Sequence, residues 1–234
     1  MMKIFVFLVF LALAVTGDAA PPKQCHPMSG LRIDFSDPQE LTERWRFYGG
    51  IPFVRKTDFF IATEPSAENG RVMVVDARRS SGLMMTDPQV DLRRFPILHW
   101  RWRVVRPIDW KSVSKEPDDQ AGVIYVGTGT YVRQDAVCYS WESRTRVGEV
   151  KRIIYNTGLI NILRRCLRNH STPTGEWVEE YRNVAADFEA AFGKPLVGRR
   201  LILSVGGNSQ HARKNTRLEI DYIEFIPKRK PEVP

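Results

Sequence analysis

The sequence predicts an all-β fold: a two-sheet antiparallel jelly-roll sandwich with one or two short helices. Two observations predict it. Short runs alternating between apolar and polar residues recur along the chain, separated by Gly, Pro, Asn and Asp, the rhythm of strands and turns. Helical spacing is scarce, and about a dozen short strands with so little helix favour two stacked sheets. The 234 residues can bury a sizeable core without disulfide staples. Charged residues at 26% and aromatics at 11% exclude bulk disorder, collagen and coiled coil.

The chain opens with a targeting signal. Met1 to Lys3 form a short basic start, Ile4 to Val15 are an unbroken apolar run, and Gly17 and Ala19 are small residues suited to cleavage after Ala19. The apolar run is shorter than the roughly 20 residues a spanning helix needs. Residues 1–19 therefore read as a signal peptide and 20–30 as a mobile, Pro-rich leader. The domain is expected over 31–227, with a charged tail at 228–234. The mature protein is expected in the periplasm or secreted, and not membrane-spanning.

Candidate strands begin with Leu31–Phe35, Trp45–Tyr48, Phe59–Ala62, Arg71–Asp76 and Gly82–Thr86. The clearest is Ile97–Val105, where Leu98, Trp100, Trp102 and Val104 alternate with His99, Arg101 and Arg103, giving one apolar and one cationic face. Ala121–Val126, Ala136–Glu142 and Lys151–Tyr155 follow. Thr157–Arg168 fits either helical spacing or a strand. The last strands are Glu176–Val184, Arg199–Gly206 and Arg217–Ile226; in the last of them strict alternation puts Arg217, Glu219, Asp221, Ile223 and Phe225 on one face. Ala185–Phe192 reads as a helix of about two turns that stops at Gly193-Lys194-Pro195. Gly127-Thr128-Gly129 and Gly206-Gly207 read as turn glycines after strands.

The formal charge of +8 arises from 35 Lys and Arg against 27 Asp and Glu. Small clusters stand at Arg78-Arg79, Arg93-Arg94, Arg164-Arg165 and Lys228-Arg229-Lys230. Such charge reads as a solvated surface or as an attraction for anionic envelope polymers. No recognition motif accompanies it, so specific nucleic-acid binding is not expected.

Several strings carry a resemblance. HWRWRV at His99–Val104, PDDQAGVIYV at Pro117–Val126, YSW at Tyr139–Trp141, WVEEYRNVAADFEAAFGKP at Trp177–Pro195 and the closing IDYIEFIP together resemble the bacterial exported family catalogued as domain of unknown function 3047. The resemblance runs from about Leu31 to Pro227 and implies a sandwich similar to the carbohydrate-binding jelly rolls. Where the family tends to carry an acidic stretch after the penultimate strand, this chain reads Gly206 to His211, leaving Asn208, Ser209 and Gln210 as hydrogen-bonding groups. Asp34-Phe35 with Trp45 resembles the first strand of sugar-binding jelly rolls, in which an early and a late acid, here Asp34 and Asp221, flank a structural calcium. No other cofactor is expected.

The candidate ligand-binding residues are Arg101, Arg103, Asp118, Asp119, Tyr139, Trp141, Arg182 and Asp187. Two guanidiniums side by side need acids or an anionic ligand opposite, and Asp119, Glu142, Glu180 and Asp187 are the candidates for that role. Trp141, Tyr139, Tyr125 and Trp177 could form a sugar-stacking platform, with core packing as the alternative for each. Of Cys25, Cys138 and Cys166, the pair Cys138–Cys166 is the disulfide candidate. No nucleophile elbow, metal-binding helix or phosphate loop is present. The expected function is a non-catalytic binding domain for a glycan or envelope polymer. The alternatives are a glycan hydrolase using carboxylates among Asp118, Asp119, Glu180 and Asp187, and an envelope assembly protein binding another protein.

Overall fold

The computed structural model describes residues 30–49, 53–109, 111, 119–130 and 132–228. The expected signal peptide, most of the leader, Cys25 and Asp118 lie outside these residues. Two sheets face one another. The first holds β1 (Arg32–Ile33), β4 (Asp58–Thr63), β5 (Arg71–Arg78), β7 (Ile97–Arg106), β12 (Val178–Asn183) and β14 (Asn215–Ile226), in the order β12-β7-β14-β5-β4, with β1 also on β14. The second holds β2 (Arg46–Tyr48), β3 (Arg55–Lys56), β6 (Ser80–Thr86), β8 (Gly122–Gly129), β9 (Gln134–Trp141), β10 (Val150–Tyr155), β11 (Ile160–Arg168) and β13 (Ile202–Asn208), in the order β10-β11-β9-β8-β13-β6-β2, with β3 on β6. The pairings are antiparallel except β11 with β9 and β3 with β6. Thr157–Arg168 resolves into one 3₁₀ turn and a strand.

The core is the space between the layers. Trp100 and Trp102 of β7 are wholly buried and meet edge-on at 5.5 Å. Across the gap, Tyr139 lies 5.5 Å from Trp100 and Trp141 lies 5.6 Å from Trp102. Tilted and edge-on rings place positive ring edges against negative faces, which adds to the burial of their area. Alternation thus does in β7 what the sequence requires: indoles inward, Arg101 and Arg103 outward.

The alternation of β14 breaks. Its register against β7 shifts between Ile220 and Tyr222, a bulge that inserts one residue. Leu218 and Ile220 face inward before it, Ile223 and Phe225 after it. The expected face of Arg217 through Phe225 is therefore split: Ile223 and Phe225 are core, and Asp221, Tyr222 and Glu224 join the outer side.

The helix α2 (Val184–Phe192) follows Asn183, whose side chain accepts from the Ala186 N–H, and ends at Gly193 with φ 65°. It inserts Val184 and Phe188 between the sheets. A short helix α1 (Glu40–Glu43) was not anticipated. The glycines expected in turns sit inside strands instead. Gly127 belongs to β8, and Gly206 and Gly207 to β13. A Cβ on Gly206 would stand 2.5 Å from the Gly82 carbonyl oxygen, so the close approach of the β6 and β13 backbones requires glycine there.

Cys138 and Cys166 are buried and free, which corrects the expected disulfide. They share a face of neighbouring parallel strands, but Cys138 stands opposite Arg164 and Cys166 opposite Ser140. Two residues of rise on top of the strand spacing put their Cα atoms about 8 Å apart, past the roughly 7 Å a bridge can span. Burial pushes the Cys166 thiol up to about 12.

Candidate functional site

The outward face of the six-stranded sheet holds the two arginines that alternation placed there. Arg101 donates from Nη1 to Asp221 Oδ2 at 2.5 Å. Asp221 is fully buried and also accepts from the Glu68 N–H at 3.1 Å. Arg103 donates from Nε and Nη2 to Glu219 Oε2 at 2.9 and 2.7 Å, and from Nη2 to Glu64 Oε2 at 2.6 Å. The acids expected opposite the arginines were Asp119, Glu142, Glu180 and Asp187; the acids found there are Asp221, Glu219 and Glu64. Cross-strand register decides this, because β14 runs beside β7 and brings Glu219 opposite Arg103 and the bulge opposite Arg101.

Trp177 lies over both guanidiniums, its ring 4.7 Å from Arg101 and 4.3 Å from Arg103, and its Nε1 donates to Ser66 Oγ at 2.9 Å. It precedes β12, an edge strand whose outward residues continue through Glu179 to Tyr181. Tyr181 is 46% exposed and stacks on His99 at 4.0 Å with the rings 10° from parallel. His99 is itself fixed by Glu224 at 2.7 Å and by Glu179 and the Tyr222 hydroxyl at 3.2 Å. Each ring of this ledge therefore rests on a nitrogen-rich plane that fixes its tilt. Hydrogen bonds from Ser66, with Arg103 adjacent, hold the Glu64 carboxyl below its ordinary range. The Tyr181 hydroxyl, with His99 beyond it, does the same for Glu179. Both carboxylates stay ionised and act as acceptors.

The remaining candidates fall elsewhere. Tyr139 is in the core, its hydroxyl donating to Asp187 Oδ2 at 2.6 Å, and burial beside that carboxylate pushes it well up. Arg182 grips the same Asp187 through two bonds of 2.9 and 2.7 Å, so this trio fastens α2 to the sandwich. Trp141 is core as well, with one edge on a cavity of about 270 Å³ shared with Val104, Ile108, Ser143, Asn169 and Thr172. Tyr125 faces outward from the other sheet, near Cys138, Tyr155 and Arg164. Of the four expected platform aromatics, Trp177 alone is on the ledge; Tyr181 was missed, although its spacing from Trp177 on one strand puts both on one face.

Asp119 is buried and accepts from the His211 N–H, the Ala212 N–H and Asn208 Nδ2, so it shapes the turn after β13. Asn208 and Ser209 are spent on the same turn, on Gln120 N–H and the Ala77 carbonyl. Glu180 pairs with Arg168 at 2.6 Å. Each of the described carboxylates named for hydrolysis thus has its own partner: backbone N–H groups for Asp119, Arg168 for Glu180 and Arg182 for Asp187. Of the two acids expected to flank a calcium, Asp34 accepts from Ser36 and Asn69, and Asp221 accepts from the Arg101 guanidinium and the Glu68 N–H. No group of three or more metal-ligating side chains occurs among the described residues, and no helix there is long and apolar enough to cross a membrane.

The chain belongs to the family described as "Protein of unknown function (DUF3047)", which matches residues 45–224. No curated protein matches it by sequence. Among solved structures it is similar to the xyloglucanase domain of NopAA, a type three effector from Sinorhizobium fredii, at 8% identity over 87% of this chain and 100% of that one, with a TM-score of 0.44. A family 12 xyloglucanase from Bacillus licheniformis gives 7% identity, 87% and 98% coverage and 0.43. The mannan-recognising carbohydrate-binding module TmCBM27 gives 14% identity, 85% and 96% coverage and 0.35.

Proposed function

We propose that this DUF3047 protein is an exported, non-catalytic binding module whose ligand is a glycan or related envelope polymer, held along the ledge of Trp177 and Tyr181. The observation that carries the reading is the pair of rings at one sheet edge: half-buried Trp177, in contact with Arg101 and Arg103 and packed beside Ala67, Val72 and Val74, and the more exposed Tyr181, stacked on His99. Flat rings take the apolar face of a sugar, and rings already fixed lose little freedom on binding. Glu64 and Glu179 beside them, ionised, accept hydrogen bonds from hydroxyls. A glycosidase needs one carboxyl kept protonated as general acid, and Glu64 and Glu179 are pushed the other way, which suits them to accept hydrogen bonds at the ledge. Export rests on the leader at residues 1–19.

The test is a glycan array with the wild type, Trp177→Ala and Tyr181→Ala. Loss of about 1 to 3 kcal/mol of binding in each variant is expected, the scale of one aromatic anchor. Ligands bound equally well by both variants, or reducing ends released from a bound polysaccharide, would overturn the reading.

A further inference from the structure

The end of the sandwich where β5 turns into β6 and β13 into β14 has a different character. Two chain-distant basic clusters meet there, Arg78-Arg79 and Arg213-Lys214. The two turns are stitched together: the Arg79 N–H donates to the Lys214 carbonyl at 3.1 Å, the Ser209 N–H to the Ser80 carbonyl at 2.9 Å, and the Ser209 hydroxyl to the Ala77 carbonyl at 3.1 Å. Arg106, at the end of β7, stands beside them, opposite Arg217 in the register.

Of the described acids at this end, Asp58 is half-exposed and paired with Arg55, and two others are turned inward. Asp76 is 1% exposed and is shared by Arg78 at 2.7 Å and Arg106 at 3.5 Å, whose side chains remain 52% and 47% exposed. Asp119 is occupied by the His211 and Ala212 N–H groups and the Asn208 side chain. Arg79, Arg213 and Lys214 have no side-chain partner among the described residues. A backbone feature points the same way. Arg79 at φ 55° and Arg213 at φ 54° both sit in the left-handed region, where glycine is unstrained and arginine is not. Strain kept at two joined turns, both times under an exposed guanidinium, is the pattern of a functional site.

We propose that these joined turns are a docking strip for an acidic polysaccharide, a chain carrying carboxylate or phosphate groups. Arg79, Arg213 and Lys214 make the direct contacts and Arg78 and Arg106 supply field. The partner follows from what the turns lack. Residues 77–80 and 208–216 carry no Phe, Tyr, Trp or large aliphatic side chain, so nothing there inserts into a bilayer, and the expected export of the chain favours an envelope polymer over a nucleic acid. The strip is separate from the Trp177–Tyr181 ledge and stands without it.

Polygalacturonate is the probe, with dextran as the neutral control. Wild type is expected to bind polygalacturonate in a salt-sensitive manner and not dextran. The triple variant Arg79→Gly, Arg213→Gly, Lys214→Gln is expected to bind at least about tenfold more weakly, with a Tm equal to or above that of wild type. The triple variant is expected to keep the glycan-array binding of the ledge, which separates the strip from it. The proposal is overturned by absence of salt-sensitive binding in the wild type, by undiminished binding in the triple variant, or by loss of the ledge's glycan-array binding in that variant. Tighter binding to phosphatidylglycerol vesicles or to a single-stranded oligonucleotide than to polygalacturonate also overturns it.

Discussion

Arg103 and Arg79 carry the same charge on the same sandwich and live in opposite circumstances. Arg103 extends from the middle of a strand, where β14 lies alongside and supplies Glu219, while Glu64 closes from the β4–β5 turn and Trp177 covers the group. Arg79 extends from a turn with no neighbouring strand to answer it, and its backbone is held in a conformation that disfavours it. The difference teaches where charge comes from in a sheet protein. On a strand face, register brings acids to the cations, and the charges become structure. At turns, nothing enforces a partner, and the excess positive charge collects there.

That contrast can be broken most directly by removing one charge from each region. Asp221→Ala leaves Arg101 facing a buried gap and frees the Glu68 N–H, so it is expected to cost about 3 kcal/mol in urea denaturation. A loss of a few tenths would mean that the sheet-face pairs are surface decoration. Arg79→Gly and Arg213→Gly are expected to raise stability, by about 1 kcal/mol each, because glycine relaxes the left-handed turn. A loss of stability in either variant would show that the guanidinium has a structural partner and would erase the difference between the two regions.

The smallest effect concerns acid. Glu64 and Glu179 have folded values below the ordinary 4.5. A group of this kind adds stability that is fully present above 4.5 and is lost as pH falls through its lowered folded value. Ledge binding is therefore expected to hold at pH 5 and above and to fade as pH falls through the lowered values below 4.5, measured by titrating a bound glycan. Guanidiniums do not titrate in this interval, so a polyanion whose sulfate groups stay ionised, such as dextran sulfate, is expected to remain bound at the turns; its loss in parallel with the ledge would erase this distinction too.

Much of this was legible because it is local. The period of two in Ile97–Val105 set both faces of β7 without any knowledge of the neighbours, and Asn183 with Gly193 bracketed α2 by their capping chemistry. The misreadings have a common origin in lateral pairing. Tyr222, Ile223, Glu224 and Phe225 changed faces because a bulge adds one residue without a mark in the text. Tyr139 and Trp141 resembled Trp177 as aromatics among polar residues, but one central strand, β9, turned the first two inward, and the third stands just before an edge strand on its outward side. Cys138 and Cys166 are the pair left when Cys25 falls in the Pro-rich leader, and the parallel pairing of β9 with β11 offsets them.

The amino-acid order alone therefore determined the all-β class, the inward indoles of β7, the cap and stop of α2, and the surplus of positive charge, since each follows from side-chain period, backbone preference or composition. The tertiary structure decided which acid answers which arginine, which aromatics remain outside, and that Arg78-Arg79 and Arg213-Lys214 meet at one end. Those are distances between residues up to 136 positions apart in the chain. They are set by strand register and layer stacking, which the sequence encodes only through the free energy of the whole packed core.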